Sequence, residues 1–70
     1  MTLHIDGKPV SAPALTGDFS TPATIRTGAV VWIDVRRNGS HLAYRVASVD
    51  AEADTATLVP ASARDIARAA

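Results

Sequence analysis

A chain of 70 residues with seven basic and seven acidic side chains, no cysteine and two histidines is bounded before any element is assigned. Its length allows one domain that buries only about 60% of the surface its unfolded form exposes. Zero formal net charge excludes a global field drawing it onto nucleic acid or an anionic membrane, so any such contact needs a local patch.

The missing cysteines remove disulfide frameworks, thiolate zinc sites and cysteine nucleophiles together. His4 and His41 cannot hold a metal alone, and no metal or other cofactor is expected. Of the apolar residues 14 are Ala, so the core is thinner than the 47% hydrophobic fraction implies. No apolar run approaches the roughly 18–20 residues that span a bilayer. The start, Met1 to Asp6, lacks the basic and apolar regions of a signal peptide, so the expected location is cytoplasmic. Six of the seven basic residues are Arg, the side chain better suited to fixed, bidentate or stacked contacts.

In chain order, Leu3 and Ile5 alternate with Thr2 and His4, which predicts a short half-buried strand before the turn signal Asp6-Gly7. His4 falls on its polar side and reads as a solvated strand residue. Pro9 has no amide donor and places the next residues at a sheet edge or outside it. Residues 11–22 are dense in chain breakers and read as a long loop that Leu15 and Phe19 can pin to the core. Residues 23–27 form a short extended run ending at Gly28.

Residues 29–37 are rich in β-branched side chains and 40–49 alternate, with Asn38-Gly39 between them, the strongest short-range hairpin signal a sequence offers. A two-residue loop with positive φ at Asn38 and Gly39 pairs Val35 with Leu42, Ile33 with Tyr44 and Val31 with Val46. These six are the expected core. The opposite face then carries Arg36 facing His41, Asp34 facing Ala43 and Trp32 facing Arg45. A slip of one residue would set Trp32 beside Tyr44 and mix apolar with charged side chains.

An acidic turn, Asp50 to Asp54, precedes a last strand over 55–59 closed by Pro60. Ser62 and Asp65 stand at capping-box spacing and predict a short helix or frayed tail over 61–70. Together these elements predict one all-β domain over 1–70, a small SH3-like or related antiparallel barrel with a long N-terminal loop and a short C-terminal helix. An open antiparallel sheet completed by a partner is the other architecture.

No phosphate-binding Gly loop, nucleophile elbow or paired-His motif occurs. Asp34, His41 and Ser48 supply the ingredients of a triad, but an exposed Asp34–His41 ion pair is the simpler reading. A chain this short is also expected to lack a cleft of several hundred Å³. The expectation is therefore that the protein is not an enzyme. The suggestive cluster is Trp32 with Arg36, Arg45 and His41 on the mixed hairpin face. Trp32 is read first as packing within the domain, capping the barrel or lying under the long loop against Leu15 and Phe19. An interface with another protein comes second, and a base-stacking platform for nucleic acid third. An assembly surface requires Trp32 to be at least partly exposed and flanked by Arg45.

The run Ile25 to Ile33, then Tyr44-Arg45-Val46, Val49-Asp50, an acidic turn and Thr57-Leu58-Val59, resembles the C-terminal half of the small head-tail joining proteins of tailed bacteriophages. Ile5-Asp6-Gly7-Lys8-Pro9-Val10 resembles that family's first strand and turn. The resemblance implies a ring-forming virion component at the neck between capsid and tail, without catalysis or cofactor. Its partners would be further copies of itself, a homo-oligomer, or virion neck proteins. A small nucleic-acid-binding β-barrel is the alternative function.

Overall fold

Alternation and turn chemistry set the strands in a computed structural model that describes residues 1–69. Strand β1 (Thr2–Ile5) turns through Asp6 and Gly7 into β2 (Lys8–Val10), pairing Ile5 with Lys8 and Leu3 with Val10. Asp6 has φ 53° and Gly7 φ 75°, the two positive dihedrals of a primed two-residue turn, whose twist matches that of the flanking strands. Strand β3 (Val30–Ile33) pairs antiparallel with β4 (Leu42–Asp50), and β4 pairs antiparallel with β5 (Thr55–Pro60) across the acidic turn. Strand β1 lies parallel to β5, so the sheet is mixed, with order β2-β1-β5-β4-β3. The short helix α1 (Ala63–Ala69) comes next and docks against β3.

One face of the sheet carries the core. Leu3, Val31, Ile33, Tyr44, Val46, Ala56 and Leu58 are buried together, and Ile5, Val10 and Val49 pack against them. Along β4 the inward set changes parity, from Tyr44 and Val46 to Val49. A bulge explains this: the register with β5 shifts between Val46 and Ser48, so Ala47 is the extra residue and the strand resumes with odd positions inward. The connection between β2 and β3 contributes Ala12, Ala14, Ala23, Ile25 and Ala29 to the same core. The four alanines let backbone lie close over a sheet that does not close on itself.

The sheet corrects several expectations. An antiparallel barrel is replaced by a mixed, open sheet, because β1 joins β5 in parallel and β2 and β3 remain its two outer strands. The hairpin register is Val31 with Tyr44 and Ile33 with Leu42, two residues away from the predicted pairing. A shift of two preserves the face, and Val31, Ile33, Tyr44 and Val46 are therefore buried as predicted. Val35 and Leu42 are not: they are 38% and 40% exposed.

The cause is Asp34. Its carboxylate accepts the amide hydrogens of Asn38 (3.2 Å) and Gly39 (2.8 Å), ending β3 at Ile33 and bending residues 34–41 into a wide connection. Positive φ falls on Arg37 (56°) and Gly39 (84°) rather than on the Asn38-Gly39 pair. The side chain of Asn38 is occupied as an acceptor for the amide of Ser40 at 2.9 Å.

At the C-terminal end the predicted capping box is reciprocal. The Ser62 amide donates to Asp65 Oδ2 (2.9 Å), and the Asp65 amide donates to Ser62 Oγ (3.1 Å). The helix begins at Ala63; the expected tail to Ala70 ends on a residue outside those described.

The observed register makes a prediction about stability. Truncating the fully buried Ile33 to Ala is expected to destabilise the fold by about 2–5 kcal/mol, whereas Val35→Ala is expected to change it by less than about 1 kcal/mol. Denaturant unfolding of the two variants checks this, and equal losses would favour the two-residue hairpin over the observed one.

Candidate functional site

The segment expected to be an irregular loop contains a small local hairpin. Its tip is organised by Asp18, whose Oδ1 accepts Thr16 Oγ1 (2.6 Å), the Ser20 amide (3.0 Å) and the Thr21 amide (3.3 Å). The Phe19 amide donates to the Thr16 carbonyl at 2.9 Å, and Thr16 and Ala23 amides donate across to Thr21 and Ala14 carbonyls. The Thr16 hydroxyl, followed by the Ser20 amide, holds the Asp18 carboxyl down to about 2. Below the tip, Leu15 and Trp32 exchange amide-to-carbonyl hydrogen bonds in both directions, each 2.8 Å. Leu15 thus extends the sheet by one residue along the free edge of β3.

That bridge sets Phe19 over the outer face of the sheet. Val31 and Ile33 point into the core, so Trp32 points the other way, opposite Ala43. Phe19 meets Trp32 edge-on, with ring centroids 5.4 Å apart and planes at 67°. On its other side Phe19 stacks on His41, with centroids 4.4 Å apart and planes within 6°. An aromatic pair of this kind is worth about 0.5–1.5 kcal/mol beyond its buried area. Even so, Phe19 remains 45% exposed, and its backbone sits at φ 60°, a left-handed conformation uncommon for a bulky residue.

Beside the aromatic face runs a groove of about 1240 Å³, lined among others by Thr16, Gly28, Arg26, Arg45, Asp65 and Arg68. A smaller recess of about 310 Å³ lies between β2 and the 34–37 stretch, near Tyr44 and Lys8, where Arg37 Nη2 donates to Ser11 Oγ at 3.0 Å. The expectation that so short a chain lacks a cleft of several hundred Å³ is thereby corrected: the open sheet leaves room along both ends. In the larger groove Arg45 Nε stands 3.5 Å from Asp65 Oδ2. The Ser62 amide in first place, then the Ser62 side chain, Arg45 and Arg68, keep the Asp65 carboxyl below the usual range against the opposing effect of burial.

Of the four residues singled out from sequence, Trp32 and His41 come together, but through Phe19 rather than through each other. Trp32 is half-buried and lies under the loop with Leu15 and Phe19, as the packing reading supposed. Arg45 shares the outer face but is opposite Val30, not Trp32, and turns to Asp65. Arg36 is exposed in the wide connection.

Asp34 does not pair with His41. Partial burial pushes its carboxyl up, and the amides of Gly39, Asn38 and Arg37, with a smaller electrostatic contribution from His41, outweigh that and leave it below its ordinary value. Ser48 stands near the far end of β4 from His41, roughly 20 Å along the strand, so the triad ingredients do not meet. Among the described residues no cluster of three metal-ligating side chains occurs, and no helix is long and apolar enough to cross a membrane.

Comparison with known protein families, curated protein sequences and solved structures finds no match for this chain.

The Asp18 turn has a pH signature. Its carboxyl is lowered on folding from 3.8 to about 2, so its contribution to the loop is complete above the unfolded value and is lost as pH falls through about 2. A carboxyl-carbon NMR titration is expected to place the Asp18 midpoint near 2. A midpoint near 3.8, the ordinary value, would mean that the turn does not hold its three donors in solution.

Proposed function

We propose that this protein is a non-catalytic assembly module that associates with copies of itself through the face formed by Phe19, Trp32 and His41. The observation that carries the reading is the presentation of Phe19. An exposed aromatic ring is held on left-handed backbone by a turn that spends one carboxylate on three donors. Strained backbone of this kind persists where its surroundings over-determine it, and such positions cluster at functional sites. Large aromatics at the centre of a contact dominate the energetics of protein interfaces.

Two further points support the assembly reading. Seven buried residues among those described, one of them Ala, make a small core, and subunit contacts stabilise a marginal fold by mass action. The sequence resemblance to phage head-tail joining proteins points to the same kind of work, a component of a virion neck that acts through protein contacts. In this reading the open sheet serves as a stiff support whose loops carry the contact.

The nucleic-acid alternative draws on one observation, the three arginines of the groove beside an aromatic face, the pairing that single-strand binders use. It predicts oligonucleotide binding that weakens steeply with salt.

Sedimentation velocity of the whole chain over a concentration series tests the assembly reading. Wild type is expected to self-associate, and Phe19→Ala to weaken association by about 2 kcal/mol, roughly thirtyfold in Kd, while the monomer stays folded at a melting point lowered by the lost Trp32 and His41 contacts. A wild-type chain that stays monomeric throughout, or a Phe19→Ala variant that associates as wild type does, would refute it.

A further inference from the structure

The arginine-lined groove carries charge that its own lining does not neutralise. Arg26 reaches it from the stretch before β3, Arg45 from β4 and Arg68 from α1, against the single carboxylate of Asp65. That carboxylate is already engaged by the Ser62 amide and by Arg45. Among the described residues neither Arg26 nor Arg68 forms an ion pair.

The compensating negative charge sits elsewhere. Asp18, Asp34 and Asp65 are taken up by local turns and caps. Asp50, Glu52 and Asp54 gather in the turn between β4 and β5, where residues 51–54 are all exposed; Asp50 Oδ1 accepts the Glu52 and Ala53 amides (3.1 and 3.2 Å), Asp54 Oδ2 stands 3.4 Å from the Met1 amine, and Glu52 has no partner among the described residues. The groove is thus net basic and the turn net acidic, in a chain whose other charges are Lys8, Arg36, Arg37 and Arg64 against Asp6, Asp18 and Asp34. Groove and turn do not meet within one copy: about 16 Å of strand separates Asp50 from Arg45. No carboxylate of the turn pairs with a groove arginine among the described residues.

We infer that the groove receives the acidic β4–β5 turn of a second copy, so that copies join head to tail. Charge complementarity selects this occupant. Glu52, the unpaired carboxylate of the turn, with the remaining oxygens of Asp50 and Asp54 to either side of it, faces the unpaired guanidinium groups of Arg26 and Arg68, each able to make two parallel hydrogen bonds. Continuity supports it as well, because Thr16 lines the groove and belongs to the loop that presents Phe19. The contact is heterologous: every copy that donates a turn keeps a free groove, and the assembly grows into a ring or a filament. This inference rests on the assembly reading and names its electrostatic half.

Two charge reversals on exposed residues test it on the full chain, Arg26→Glu in the groove and Glu52→Arg in the turn. Sedimentation velocity is run at about 50 mM and about 500 mM salt, with folding checked by circular dichroism. Wild type is expected to associate at the lower salt and dissociate at the higher. Each variant alone is expected to associate at least about tenfold more weakly. An equimolar mixture of the two is expected to regain association, because one variant supplies an intact turn and the other an intact groove.

A mixture that stays monomeric overturns the inference. So does association that ignores both reversals but is lost in Phe19→Ala, which leaves the aromatic face as the contact and the assembly reading intact. Wild type that is monomeric at both salts removes the assembly reading itself. Oligonucleotide binding that Arg26→Glu abolishes, without self-association, overturns the inference in favour of nucleic acid.

Discussion

Two hydrogen bonds between Leu15 and Trp32 decide what the free edge of β3 becomes. An outer strand with unpaired amides and carbonyls is a template for indiscriminate pairing, and proteins cover or blunt such edges. Here the covering residue comes from the connection between β2 and β3, and Pro22, on the other side of Leu15, offers no amide donor to continue the ladder. At the opposite edge Pro9 does the same for β2. Once Leu15 is fixed, Ala14 and Ala23 fall onto the core, Gly17 lies against the indole of Trp32 and Phe19 lands between Trp32 and His41. Thr16, next in the chain, becomes part of the groove. The aromatic face, and the place of Thr16 in the groove, therefore depend on one reciprocal pair of backbone hydrogen bonds.

Much of the sheet is legible in the residues, and the reasons are local. Val31, Ile33, Tyr44 and Val46 alternate with polar or smaller residues, and a shift of two in register cannot move them off the buried face. Asp6-Gly7 and Ser62 with Asp65 act within four residues of each other, so their chemistry is read without knowing the fold. What escapes is anything a competing side chain decides. Asn38-Gly39 has the residues of a tight turn, but Asp34 offers the amides of Asn38 and Gly39 an acceptor and the strands part earlier than the pattern implies. Val35 and Leu42 leave the core as a result.

Phe19 illustrates the same limit at the candidate site. The hairpin pattern places Trp32 and His41 on one face, yet the residue that joins them comes from a segment with no period. A local signal existed, because Thr16, Asp18, Ser20 and Thr21 have the composition of an Asp-centred turn, and such a turn presents the residue after the Asp. The landing place of that residue is a tertiary fact set by the Leu15 bridge. Likewise Arg26, Arg45 and Arg68 are far apart in sequence, and only the return of α1 to the outer face brings them to one groove.

Function then rests on a division of labour in a very small molecule. One face of the sheet holds nearly all of the buried apolar surface, while the other is left to an aromatic cluster and to separated charge. Both depend on the 14–23 segment being a fixed part of the sheet rather than a free loop. Native-state hydrogen exchange measures this most directly. The Leu15 and Trp32 amides are predicted to exchange together and at least about a hundredfold more slowly than the exposed Gly17 amide. Exchange of the Leu15 amide at the rate of an unstructured chain, while β4 and β5 stay protected, would contradict it.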